Sequence, residues 1–229
     1  MKILALDSTA VTAAVALCDG EKLVASYTLN NMNTHSETLL PMIESTLKLS
    51  GWTTGDIELF ACSAGPGSFT GVRIGAATIK GLAFAKDVPC IGVSTLEALA
   101  YNLKFCDGIV CPLMNARRGQ VYNALFEGGE RLCEDRAISA EELAKSLENE
   151  TKNIWFCGDG VDLIKPFVEG KNNAKFAPET LLYPSGYSVA MVALKAYENG
   201  VSTTAEELAP TYLRMPQAER ERLEREKTK

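Results

Sequence analysis

The chain has 229 residues, 46% of them hydrophobic and 23% charged, enough to bury one sizeable core or two small ones. Its formal net charge of −6 excludes a broadly basic surface of the kind that holds a phosphate backbone unaided. Any contact with RNA is therefore weak or shared.

In chain order, the opening predicts strands at Ile3–Leu6, Thr12–Cys18 and Leu23–Leu29, an antiparallel meander with small polar turns at Asp7–Ala10 and Asp19–Gly20. A helix is predicted from Ser36 to Ser50, because Thr34-x-x-Glu37 has the form of a capping box and Gly51 can close the end. Pro41 should kink it or delay its start. A buried strand at Ile57–Ser63, the turn Gly65-Pro66-Gly67-Ser68, a helix at Phe69–Ala85 and a strand at Pro89–Val93 complete a βββαβαβ order.

Most of that order recurs. Ile109–Met114, the turn Asn115–Gly119, Val121–Phe126, a strand near Arg131–Ile138, a helix at Glu141–Leu147 and the strand Ile154–Cys157 repeat the pattern without repeating the letters. Asp7 then aligns with Asn115, and the turn at Gly65 with the one at Gly158. A duplicated βββαβαβ unit is the α/β arrangement of the actin, sugar-kinase and heat-shock chaperone superfamily, with the second lobe reduced here. The expected division is 1–104 for the first lobe, 105–204 for the second, and 205–229 for a C-terminal segment with a charged tail. In that tail Glu221 and Arg225 stand four apart, as in a solvated helix, a frayed end or a partner-binding segment.

Seven cysteines form an odd set, with no pair at the spacing of a zinc knuckle or a thioredoxin-like site. Most lie in apolar runs such as LFACS and IVCPL, and read as buried free thiols of a reducing compartment. The start, MKILALDST, meets Asp7 too early for a signal-peptide core. A cytoplasmic protein without membrane association is expected.

Gly65-Pro66-Gly67-Ser68-Phe69-Thr70-Gly71 ends a strand and opens a helix, so Gly65, Gly67 and Ser68 mark either an anion-binding nest or a structural turn. No Gly-Lys-Ser/Thr follows as in a P-loop, and Thr70 stands where a dinucleotide fingerprint needs glycine. His35 is the only histidine; it excludes a two-histidine metal site and reads as a hydrogen-bonding group at a helix start rather than a catalytic one. Asp7 is placed like the first phosphate-hairpin acid of actin-fold ATPases, or as the cap of its own turn.

Three segments together resemble the TsaB (YeaZ) family: ILALDST; HSETLLP with SAGPGSFTGVRIG and VPCIGVSTLEALA; and NARRGQVY with PTYLR. The resemblance implies a subunit of the complex that attaches threonylcarbamoyl to an adenosine beside the anticodon of ANN-decoding tRNAs. It implies a catalytic sister, TsaD, and an ATPase, TsaE, as partners. ATP is expected to be used by the complex, no cofactor or metal is expected to be bound by this chain alone, and the isolated chain is expected to form a homodimer. In the sister, the segment matching Gly92–Leu99 resembles GVHHLEGH, whose second and third histidines hold the metal; here those positions are Thr95 and Leu99. A small actin-fold phosphotransferase or ATPase using Asp7 and the Gly65 turn is the alternative, with a glycoprotease-like peptidase behind it.

The predicted first helix carries an apolar stripe through Leu40, Ile43 and Leu47 and a second through Leu39, Met42 and Leu49, wider than one core contact requires. On the next helix Gly71 and Gly75, followed by Thr78 and Leu82, form a small-residue face. Helix-interior glycine costs about 1 kcal/mol, so close packing is expected there, either on the chain's own sheet or on a partner. By the resemblance, Leu39, Met42, Ile43, Leu47, Gly71, Gly75, Thr78 and Leu82 form the face that pairs with TsaD.

Overall fold

The structure is a computed structural model that describes residues 1–31, 33–84 and 86–214; the predicted tail helix and the last residue of the predicted helix at Phe69–Ala85 lie outside them. The first sheet comprises β1 (Lys2–Asp7), β2 (Ala13–Asp19), β3 (Lys22–Leu29), β4 (Leu59–Gly65) and β5 (Cys90–Ser94) in the order β3-β2-β1-β4-β5. β1 pairs antiparallel with β2 and parallel with β4, which makes it the centre of the sheet.

Strand alternation sorts the first lobe's core into two layers. Leu4 and Leu6 of β1 face α1 (His35–Ser50) and α2 (Phe69–Ala83). Ile3 and Ala5 face the opposite side, where α3 (Thr95–Tyr101) and α7 (Gly186–Glu198) lie. Helix α1 ends as predicted on Gly51 at φ 72°, with the Trp52 N–H donating to the Leu47 carbonyl. The predicted capping box at its start does not form: the Thr34 hydroxyl pairs with that of Ser36 instead. Pro41 lies inside the helix and does not delay its start.

The second sheet repeats the first, place for place. β6 (Ile109–Arg117), β7 (Gln120–Asn123), β10 (Arg136–Ser139), β11 (Ile154–Cys157) and β12 (Ala174–Phe176) run in the order β10-β7-β6-β11-β12, with the same parallel and antiparallel pairings. The expected third strand near Arg131–Ile138 forms later, as β10, while β8 (Phe126–Glu127) and β9 (Glu130–Arg131) form a side hairpin on β6. Helices α4 (Ala140–Ser146) and α5 (Val161–Val168) cover one face of the sheet, and the short α6 (Glu179–Leu182) follows β12. The other face joins α3 and the first lobe's Ala10 in a shared apolar cluster, which welds the lobes together.

Two expectations are corrected here. Residues 186–204 do not belong to the second lobe: Val189, Ala190 and Ala193 of α7 pack on the first sheet, and Thr203 pairs with Cys90 of β5. A Cβ on Gly186 would come within 2.6 Å of the Val15 backbone, so that helix is seated as closely as it can be. Second, Leu39, Met42, Ile43 and Leu47 are not a partner face. All four are buried in the first lobe's own core, over β2 and β3 and beside α2.

Candidate functional site

Two hairpin turns face each other across the cleft between the lobes. In the first, Asp7 is fully buried; its Oδ1 accepts the Thr9 N–H at 3.0 Å and its Oδ2 the Thr9 hydroxyl at 3.0 Å. Burial pushes the Asp7 carboxyl above its ordinary value, opposed by these hydrogen bonds. The carboxylate therefore holds its own turn. The Ser8 hydroxyl donates to the Gly71 carbonyl at 2.8 Å, and the Thr9 carbonyl accepts the Ser68 N–H at 2.9 Å, so hairpin and α2 start are bolted together. His35 Nε2 donates to the Ala10 carbonyl at 2.8 Å, tying the start of α1 to the same hairpin.

In the second lobe the turn between β6 and β7 carries Asn115, whose N–H donates to Asp159 Oδ1 at 2.7 Å and whose Oδ1 accepts the Arg117 N–H at 2.8 Å. Arg117 and Arg118 adopt left-handed backbone, φ 66° and 55°. Burial pushes the Asp159 carboxyl up, while the Asn115 N–H and the Arg117 charge pull it down. Between the hairpins lies a cavity of about 460 Å³, walled by Thr9, Gly67, Ser68, Phe69 and Thr70 on one side and by Asn115, Arg117, Arg118, Asp159 and Arg214 on the other.

Of the residues singled out as an anion site, Gly67 and Ser68 line this cavity and Asp7 sits behind it. Gly65 does not take part. It lies at φ 118°, and a Cβ there would stand 2.4 Å from the Thr211 carbonyl; its freedom serves the C-terminal segment, whose Thr211 N–H donates to the Ala64 carbonyl at 2.7 Å. Sequence reasoning misses Arg117, Arg118, Asp159 and Arg214 as site residues. The available signal is two adjacent arginines at a hairpin tip in an acidic chain.

A magnesium nucleotide, which the fold implies, does not fit these residues. Such a group needs carboxylate oxygens turned to the metal, whereas Asp7 is buried and bonded to Thr9, the matching position is neutral Asn115, and the cavity wall offers one carboxylate beside three guanidinium groups.

The small-residue face of α2 is also turned inward. A Cβ on Gly71 would stand 1.9 Å from the Ser8 carbonyl oxygen, and one on Gly75 would stand 2.6 Å from Ser8 Oγ and 3.1 Å from Leu6 Cδ1. These glycines let the helix lie on its own phosphate-type hairpin. Thr78 and Leu82 are half-buried, and Leu82 packs against the first core. What α2 turns outward is Thr70, Arg73, Ala77 and Gly81, with Ile74 and Thr78 half-exposed beside them; Gly81 has open space where a Cβ would stand. On α1, Leu40 is 55% and Leu49 84% exposed. A largely apolar groove of about 390 Å³, lined by Val11, His35, Thr70, Gly71 and Ile74, runs between the starts of the two helices.

Thr95 and Leu99, at the positions of the sister's metal-binding histidines, are fully buried on α3. Among the described residues, no three histidine, cysteine or acidic side chains gather as a metal site. Burial also pushes the thiols of Cys18, Cys62 and Cys111 up to about 12, which leaves them inert. No helix among the described residues is long and apolar enough to cross a membrane.

Comparison with known proteins agrees with this geometry. The family described as TsaD, tRNA N6-adenosine threonylcarbamoyltransferase, matches residues 22–222. The tRNA threonylcarbamoyladenosine biosynthesis protein TsaB of Bacillus subtilis is 30% identical over 99% of this chain and 100% of its own length, and that of Escherichia coli is 30% identical over 93% and 95%. The crystallised YeaZ of Pseudomonas aeruginosa superposes with a TM-score of 0.81 at 27% identity, covering 93% of this chain and 99% of that one. On the buried hairpin, the duplicated sheets and these relationships together, the chain belongs to the TsaB (YeaZ) family of tRNA threonylcarbamoyladenosine biosynthesis, on an actin-like fold.

Proposed function

We propose that this chain is a non-catalytic scaffold subunit of the complex that transfers threonylcarbamoyl to the adenosine beside the anticodon of ANN-decoding tRNAs, and that it works by pairing with the catalytic sister TsaD. The observation that carries the reading is the outer surface of α1 and α2: Leu40 stands exposed on one helix, and Ala77 and Gly81 give the other a small-residue strip open to solvent. Exposed helix-interior glycine disfavours the isolated helix by about 1 kcal/mol, and close approach of another helix compensates for it. The match of the sister's own family to residues 22–222 supports a pairing of like helices. The replacement of the ligand pair by buried Thr95 and Leu99 supports the lack of catalysis.

In this reading TsaE supplies the ATPase, tRNA meets the chain only within the complex, and assembly takes place in the cytoplasm. With the sister missing, the same strip closes on a second copy as a homodimer. The decisive experiment is reconstitution of tRNA modification with and without this chain, beside a pull-down against TsaD and an ATPase assay of the chain alone. Full modification in its absence would overturn the scaffold role, and steady ATP turnover by the isolated chain would favour the phosphotransferase.

A further inference from the structure

We propose that the pocket between α3, α7 and the β8–β9 hairpin is a binding site for a small monocarboxylate with a compact apolar body, such as a single six-membered ring. It is built on the face of the first sheet opposite α1 and α2 and shares no lining residue with the cleft cavity. The proposal does not rest on the scaffold reading.

The hairpin makes the pocket. The second sheet carries it beside β6, whereas the first sheet, otherwise its match, has no such strands among the described residues. Its two-residue tip, Gly128 and Gly129 at φ 59° and 85°, is the left-handed turn that a tight hairpin requires. A Cβ on Gly129 would meet Lys104 Cβ at 3.8 Å, so the tip rests just past the end of α3. The addition thereby roofs a cavity of about 190 Å³. An apolar cavity of about 150 Å³ takes benzene, so this one has room for a ring and a small head group.

The floor is apolar. Ala100, Phe126, Met191 and Val192 are each at most 7% exposed, and the Met191 thioether adapts to the shape of what lies on it. Charge at the rim then selects the head group. Of the two carboxylates there, Glu130 is paired with Lys195 at 3.2 Å and Glu97 with Arg131 at 3.3 Å. Lys104 is the cation left over. Half-buried, it donates to the Tyr101 hydroxyl at 2.6 Å and sits 3.9 Å from the centre of the Tyr101 ring. Among the described residues it belongs to no ion pair. An ammonium partly withdrawn from water beside an apolar floor favours a ligand that brings one negative charge and little else to desolvate. A cationic head group would meet only carboxylates already neutralised.

The test is NMR titration of the full chain, with isotope-labelled methionine methyl groups, using benzoate, benzyl alcohol and benzylamine as separate probes. The Met191 signal, assigned by its loss in Met191→Leu, should shift saturably with benzoate. Benzyl alcohol and benzylamine should bind more weakly by about tenfold or more. Lys104→Met keeps the stem and removes the charge, so benzoate should then bind no better than benzyl alcohol. Val192→Phe fills the cavity from α7 and should abolish the shift while the other methionine signals hold their places. No saturation at millimolar benzoate, equal or tighter binding of the neutral or cationic probe, or a shift confined to other methionines would overturn the proposal. So would benzoate binding of native strength in either the Lys104→Met or the Val192→Phe protein.

Discussion

Three glycines on one helix should respond in three different ways to the same methyl group. At Gly81 nothing lies within 4 Å of a built Cβ, so Gly81→Ala should stabilise the isolated chain by about 1 kcal/mol through helix propensity. For a protein of this size that is a rise of roughly 2–4 °C in melting temperature. At Gly75 the Cβ would stand 2.6 Å from Ser8 Oγ and 3.1 Å from Leu6 Cδ1. Both neighbours are side chains, but the Ser8 hydroxyl is tied to the Gly71 carbonyl at 2.8 Å. Displacing it forfeits about 1 kcal/mol and overpacking adds about 1–3 kcal/mol; set against the propensity gain of about 1 kcal/mol, a net loss of roughly 1–3 kcal/mol follows. At Gly71 the Cβ would stand 1.9 Å from the backbone oxygen of Ser8, and no rotamer can relieve that. The helix must lift off the hairpin, so Gly71→Ala should cost more than Gly75→Ala and place expression at risk. Urea denaturation followed by far-UV circular dichroism, at dilution that keeps the chain monomeric, reads all three. A Gly71→Ala protein as stable as the native one, or a Gly81→Ala protein less stable, would refute the placement of α2 on the hairpin.

The outer strip is tested by Ala77→Arg, which should leave the isolated chain's melting temperature in place yet abolish capture of TsaD, because an unpaired charge in a dry helix contact costs several kcal/mol, roughly a hundredfold or more in affinity. Retained capture would remove Ala77 from the interface. Light scattering of the native chain alone should report a homodimer that the same substitution converts to monomer; a native monomer at high micromolar concentration would count against it. Asp7→Asn addresses linkage: burial lifts the Asp7 carboxyl above 3.8, so the native state holds its proton more tightly, and the carboxyl's contribution to stability declines as pH rises from 3.8 through the raised value. The amide variant has no such proton to lose, so its stability relative to the native chain should rise across that window and then level off; urea midpoints that move the opposite way would contradict it. Elemental analysis of the purified protein should find no stoichiometric zinc or iron, and one metal per chain would disprove the reading of Thr95 and Leu99.

The architecture is legible in the sequence wherever periodicity is local. The meander of β1 to β3 and the repeat from Ile109 onward can be read because turns such as Asp19-Gly20 and the left-handed cap at Gly51 are encoded by the residues that form them. The direction in which α1 and α2 face is not legible in that way. Leu39, Met42, Ile43 and Leu47 make a stripe that is equally compatible with a sheet or a partner, and only the position of β2 and β3 beneath them decides it. Gly71 and Gly75 are close-packing residues as expected, but what they approach is Ser8, more than sixty positions earlier in the chain. Helix α7 escapes a reading by pattern for a related reason: its residues are apolar on nearly every side, since it lies on the first sheet with α3 packed beside it, and so it shows little amphipathic contrast.

The C-terminal segment links these observations. Leu208 is buried in the first lobe's core, Thr211 hydrogen-bonds to Ala64, and Tyr212 stacks on Phe69 with ring centroids 5.3 Å apart while its hydroxyl accepts from Arg73 Nε at 2.8 Å. Leu213 then enters the apolar cluster shared by the lobes, and Arg214 reaches Gln120 of β7. One short strap thus touches the first core, the start of α2 and the second lobe in succession. A hinge motion that opened the cleft widely would have to break the strap's contacts on one side or the other, and with them the shared cluster around Leu96, Leu99 and Met114. An enzyme that must close on each substrate and reopen for each product is poorly served by such a fastening. A subunit whose task is to present α1 and α2 at a fixed angle is well served by it, because rigidity lowers the entropy lost when those helices meet a partner.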